Sequence, residues 1–195
     1  MKKWIGIITI MGLIFLLAAC GGTSNEAEEP EAAPEETTEE TAEESEEEGT
    51  GIANPWSEAA SLEEAAEGAG IDGFYITEVI TISLGDVKPD SFRYMDGLAE
   101  TTVEFPAVEM TIRKGKSDVA TEGDISGDYN TYANEWTQNV KGLELKCFGN
   151  SEGEAAKAIW TVDDDCYSIT VQALGGEEDY GLSPDDLNSL INGIQ

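Results

Sequence analysis

The chain predicts an α+β domain: an antiparallel sheet with a short N-terminal helix and a C-terminal helix packed on one face. Short runs of β-branched and alternating apolar and polar residues recur from Phe74 to Ala173, the pattern of half-buried strands. Turn signals such as Asp96-Gly97 separate those runs. Helical spacing behind a capping serine stands out at two places, one before the strands and one after them.

The first helix is signalled by Ser61-Leu62-Glu63-Glu64, where Ser61 can cap and Glu64 sits three residues on. Leu62, Ala65, Ala66 and Ala69 give it an apolar face, and Gly70 is placed to end it. Phe74 to Leu84 follows, rich in β-branched residues, and reads as strand. Phe92 to Met95 and Leu98 to Phe105 flank Asp96-Gly97 as a hairpin. Val108 to Arg113 alternates, with Val108, Met110 and Ile112 on one side. Gly115 to Tyr129 reads as a long polar loop. Ala133 to Val140 pairs with Leu143 to Phe148 across Lys141-Gly142, and Ala155 to Val162 with Tyr167 to Ala173 across Asp163-Asp164-Asp165. The last helix begins at Ser183-Pro184, with Asp185 and Asp186 at its positive end. Leu187, Leu190 and Ile191 form its stripe, and Gly193 stops it.

The N-terminus carries a different signal. Lys2 and Lys3 precede an apolar run from Trp4 to Ala19, which is 16 residues long. A spanning helix needs roughly 20, so a cleaved export signal is the better reading. The run ends in Leu17-Ala18-Ala19-Cys20, followed by Gly21-Gly22. This segment resembles the lipobox of bacterial lipoproteins. The resemblance implies cleavage before Cys20, a diacylglycerol thioether on Cys20, and a cell-membrane location on the extracytoplasmic face. Two acyl chains hold a protein stably where one is marginal. Residues 1–19 are then the signal peptide. Residues 20–50 are the lipidated cysteine and a disordered acidic tether, and residues 51–195 a single domain. Between Glu26 and Glu48 lie 13 glutamates and no base; such a stretch has no apolar face to bury.

The formal charge of −31 excludes nucleic acid as a natural partner, because phosphate binding needs clustered Lys and Arg. The chain has no histidine. That removes the commonest general base and metal ligand. Gly149-Asn150-Ser151-Glu152-Gly153 matches a nucleophile-elbow pattern, but a strand follows it and no histidine base exists, so it reads as a hairpin loop. Gly115-Lys116-Ser117 lacks the earlier glycine of a phosphate loop, with Met110 in that place.

Cofactor chemistry is expected to be absent, save for calcium in an acidic loop. The acids gather at Glu122, Asp124 and Asp128 with Asn130, at Asp163 to Asp165, and at Glu177, Glu178 and Asp179. Calcium takes six to eight oxygens, and Asp124, Asp128 and Asn130 are the best candidates, although the spacing is not that of an EF-hand. Cys147 and Cys166 are available for a disulfide closing a loop of about 20 residues; two separate buried thiols are the alternative. Trp56, Tyr129, Tyr132, Trp136, Trp160, Tyr167 and Tyr180 belong to the core or line a groove, with Trp56 placed to staple the tether to the fold.

Several segments together resemble a family of extracytoplasmic lipoprotein domains of unknown function, common in Gram-positive bacteria. They are Asn54-Pro55-Trp56 before the Ser-Leu-Glu-Glu-Ala helix, Asp124-Ile125-Ser126-Gly127-Asp128-Tyr129-Asn130, Ala158-Ile159-Trp160-Thr161, Tyr167-Ser168-Ile169 and Gly181-Leu182-Ser183. The resemblance spans most of residues 51–195 and implies an α+β domain displayed at the cell envelope. It brings no catalytic residues. Cys147 and Cys166 depart from it, so a bridge there would be local to this protein. The expectation is a non-enzymatic module that binds a protein, a peptide or a cell-wall component, held at the membrane through Cys20. The rivals are a carboxylate-based hydrolase acting on glycans and a structural or sensory accessory domain of a membrane complex.

Overall fold

A computed structural model describes residues 54–175 and 180–195. The export signal, Cys20, the acidic tether and the cluster Glu177, Glu178 and Asp179 lie outside the described residues.

The elements follow in order: β1 (Ser57–Ala59), α1 (Leu62–Ala69), β2 (Ile80–Ile82), β3 (Gly85–Val87), β4 (Ser91–Met95), β5 (Leu98–Glu104), β6 (Val108–Lys116), β7 (Asn134–Val140), β8 (Leu143–Gly149), β9 (Lys157–Val162), β10 (Asp165–Ala173) and α2 (Pro184–Gly193). Eight strands form one sheet in the order β1-β4-β5-β6-β10-β9-β8-β7. Every neighbouring pair is antiparallel. The chain thus makes two meanders, and β10 returns to pair with β6 and join them. This is the α+β architecture that the sequence predicts.

Local chemistry sets the turns and ends. Met95 pairs with Leu98 around Asp96-Gly97, where Gly97 takes φ +75°. Lys141 and Gly142 both take positive φ, as a type I′ hairpin turn requires. The Ser61 hydroxyl accepts from the Glu64 N–H at 3.2 Å, and the Glu64 carboxylate reaches back to the Ala60 N–H at 2.8 Å. Gly70 closes α1 in the left-handed region. Ser183 caps α2 through the Asp186 N–H. Gly193 is the last helical residue rather than the stop, and Ile194 caps it.

The run from Phe74 to Leu84 differs from expectation. Only Ile80 to Ile82 is strand, paired with β3 in a separate two-stranded sheet. Its first half makes its backbone bonds elsewhere: Tyr75 exchanges N–H···O bonds with Gln195 at 2.9 Å, and the Thr77 N–H donates to Gly193 at 3.0 Å. The C-terminus therefore occupies the place of a sheet partner. Asp186 ties the small sheet to α2, accepting from the Ser83 N–H at 2.7 Å and the Ser83 hydroxyl at 2.8 Å. Burial would raise the Asp186 carboxyl, but the hydrogen bonds from Ser83 and Ser183 outweigh it and hold the group below its ordinary value.

Strand alternation splits the large sheet into two faces. One carries Val103, Met110, Ile112, Leu145, Cys147, Ala158 and Ile169, packed with Ala65, Ala66 and Ala69 of α1 and Leu187, Leu190 and Ile191 of α2 in a single core. Trp160 and Tyr167 stack in it, centroids 5.2 Å apart. The other face is polar and is partly covered by the loop between β6 and β7. Leu98 and Cys166 on this face join Ile125 of the loop in a small apolar cluster, against which Trp56, Met95 and Ala120 pack.

Cys147 and Cys166 are free buried thiols. The expected bridge is not formed, and the register explains it. Cys147 pairs with Ala158 on β9, whereas Cys166 pairs with Thr161 on the opposite side of the same strand. The two residues lie two strands apart and on opposite faces, beyond the reach of a disulfide. Burial pushes the Cys147 thiol up to about 11.

Candidate functional site

The polar face is built from lateral rows of side chains. Arg93, Glu100 and Arg113 are direct neighbours on β4, β5 and β6. Glu100 is 0% exposed, and each of its carboxylate oxygens accepts from one arginine Nε. A buried carboxylate is costly unless paired and hydrogen-bonded, and here two guanidinium groups compensate one charge. The Trp56 ring lies 4.6 Å from the Arg93 guanidinium and 5.5 Å from that of Arg113. Trp56 thus packs at this row; the tether it was expected to staple lies outside the described residues.

One row along, Thr102, Thr111 and Thr170 stand side by side on β5, β6 and β10, and Lys157 of β9 continues the row. Lys157 is buried, 6% exposed. Its ammonium donates to the Asp124 carboxylate at 3.0 Å and to the Asp128 carbonyl at 3.1 Å, and lies 4.6 Å from the Phe148 ring. This cation organises the loop that the sequence singled out. Asp124 also accepts from the Ser126 N–H at 2.7 Å, and Asp128 from the Asn130 N–H at 2.9 Å and from the Tyr132 hydroxyl. Burial would raise the Asp124 carboxyl; the bonds from Ser126 and Lys157 outweigh it and hold the group low.

Asp124 through its carboxylate and Asp128 through its carbonyl are therefore brought together on an ammonium, and Asn130 joins them only through Asp128. Each carboxylate oxygen already accepts a protein donor, and Asn130 contributes its backbone N–H. Calcium would have to displace Lys157 and these donors. Among the described residues no group of three or more acids or cysteines is arranged to hold a metal. The turn Asp163 to Asp165 is used structurally: Asp165 pairs with Lys114 at 3.0 Å, and the Asp164 carbonyl accepts from Ser117.

Gly127 shows why this loop needs its glycine. Its φ is +64°, and a Cβ there would lie 2.4 Å from Arg113 Nη1. The Arg113 guanidinium passes directly under it to donate to the Ile125 carbonyl at 3.0 Å.

Between loop and sheet lies an open depression of about 520 Å3, lined by Arg93, Glu109, Thr111, Arg113, Tyr129 and Gln172 among others. A second depression of about 500 Å3 adjoins it, sharing Arg93, Glu109 and Thr111 and extending to Asp90 and Glu104. Together they form one polar groove along the sheet face. Tyr129 stands at its rim, 96% exposed, on a loop fixed by hydrogen bonds. Of the other aromatics, Tyr132 lines the groove, whereas Trp136, Trp160, Tyr167 and Tyr180 pack on or in the core.

The sequence reading found the loop but missed its anchors, Glu100, Arg93, Arg113 and Lys157. The Asp96-Gly97 hairpin carried a usable signal, because a two-residue turn sets Arg93 opposite Glu100. The 149–153 segment starts at the last residue of β8, Gly149, and continues into the connection to β9, as a hairpin loop should. No helix of the described residues is long and apolar enough to cross a membrane. No family model, curated protein or solved structure matches the chain.

Proposed function

We propose that this protein is a membrane-anchored extracytoplasmic lipoprotein whose domain is a non-enzymatic binding module, and that its ligand lies in the polar groove. The groove carries the reading. Threonine hydroxyls, Gln172, Glu109 and two arginines converge on one concavity, with a fully exposed tyrosine at its rim. Convergent polar groups in a cleft are what orient a ligand. The anchor is supported by the order of residues from Lys2 to Cys20. Hydrolysis on carboxylates is the rival. Glu104 and Glu109 face each other across β5 and β6 in the groove. Neither is buried, and an acid kept protonated near neutrality needs burial. Their exposure favours binding.

Melting of the full chain with short peptides and with soluble cell-wall fragments tests the site. A ligand of the native state raises the midpoint with concentration. Tyr129→Ala and Gln172→Ala are expected to abolish the rise while leaving the ligand-free midpoint unchanged. A rise that survives both variants would place the ligand elsewhere. Cys20→Ser, followed by fractionation, tests the anchor separately: the variant is expected to leave the membrane fraction.

A further inference from the structure

The two edges of the large sheet differ. The edge strand β1 has three residues, too short to template another strand. The edge strand β7 has seven, and pairs with β8 in unbroken register without a bulge. Its sequence, Asn-Glu-Trp-Thr-Gln-Asn-Val, holds neither proline nor lysine, the usual guards of an exposed edge. Among the described residues no strand pairs with its outer side.

Charge selects the occupant. Residues 51–195 hold 28 acids and 8 bases, a net of −20. The hairpin 134–149 holds Glu135, Glu144, Lys141 and Lys146, a net of zero. It is a neutral strip on a strongly acidic domain, so two copies meet there without net charge repulsion.

We infer that β7 pairs antiparallel with β7 of a second copy of this chain, about a two-fold axis at Thr137. In this register Glu135 faces Asn139, Trp136 faces Gln138, and Thr137 faces itself. No like charges are opposed. Lys141 of each copy becomes the diagonal neighbour of Glu135 of the other, within reach of long side chains. Such isologous pairing extends the sheet through both molecules and closes on itself. The strands that floor the polar groove, β4, β5, β6 and β10, are not the paired edge.

Thr137→Cys in the full chain tests this directly. Thr137 is exposed, Cys147 and Cys166 are buried, and Cys20→Ser is carried in every variant so that no other thiol can crosslink. Mild oxidation is expected to give a disulfide-linked dimer, while the control Glu58→Cys on β1 forms no disulfide-linked dimer. Thr137→Lys sets two cations face to face; it is expected to reduce the sedimenting mass of the full chain from dimer to monomer with circular dichroism unchanged. A wild-type chain that sediments as a monomer at all concentrations overturns the pairing. So does crosslinking of the Glu58→Cys variant to the same extent as the Thr137→Cys variant. A dimer that persists in Thr137→Lys would show that the copies meet elsewhere.

Discussion

The two faces of the large sheet come from the same strands, residue by residue in alternation, yet different forces hold them. On the helix side Val103, Met110, Ile112, Leu145 and Ile169 are removed from water against α1 and α2. Each such side chain contributes about 1.5–3 kcal/mol by burial, without directional demands. On the other side Glu100 is as deeply buried as those residues, but it is held by two arginines in fixed geometry. Lys157 is likewise held by Asp124 and a carbonyl. Burial on this side is conditional on partners. A core of shapes tolerates substitution by volume, whereas a polar lattice specifies positions. The face that specifies positions is also the one that carries a groove.

The largest test of that contrast is Glu100→Ala. It leaves Arg93 and Arg113 without their shared carboxylate and is expected to cost about 3–5 kcal/mol in chemical denaturation. Leu187→Ala, on α2 and fully buried against the other face, is expected to cost about 2–5 kcal/mol through its cavity. The two separate on function: Leu187→Ala leaves the groove intact below its melting point, while Glu100→Ala disturbs it. If both variants retain ligand equally, the polar lattice does not shape the groove.

Gly127→Ala comes next. It forces an alanine into positive φ and against the Arg113 guanidinium. A loss of about 1–3 kcal/mol is expected from the strain. A substitution without effect would mean that the loop does not rest on the arginine.

Acid sharpens the comparison further. Asp124 and Asp186 both lie below their ordinary value of 3.8 in the folded chain. A carboxylate held low contributes stability that is fully present above its ordinary value and is lost as the pH falls through the folded value. The melting midpoint is therefore expected to fall with acid below about pH 4. Asp124→Asn should flatten part of that slope and leave the part due to Asp186. Calcium should leave the midpoint unchanged, since Lys157 already sits between Asp124 and Asp128.

The smallest expected effect is on the thiols. Burial raises Cys147 to about 11, which leaves almost no thiolate near neutrality. Native protein is expected to resist iodoacetamide, and unfolded, unreduced protein to take label at both Cys147 and Cys166. Protection of both in the unfolded chain would reveal a bridge and contradict the strand register.

What was legible in the sequence follows the same division. Periodicity located Leu62–Ala69 and nearly every strand of the large sheet, because apolar alternation and capping residues are local signals. It overstated Phe74 to Leu84, because the same β-branched residues can bond to a distant C-terminus, which no local window reveals. The loop Asp124 to Asn130 was visible through its turn residues. Its anchors were not: Glu100 looks like a surface residue until Arg93 and Arg113 are set beside it, and Lys157 until β10 joins the two meanders. The cysteine pairing failed for the same reason: spacing along the chain says nothing of the face on which each thiol lies.

Hydrogen exchange of the full chain, with and without cell-wall fragments, tests the central claim most directly. The account predicts added protection in Ser126 to Tyr132 and along the groove-lining parts of β5, β6 and β10, with α1 and α2 unchanged. Protection confined to the helices, with the loop unaffected while ligand is bound, would contradict it.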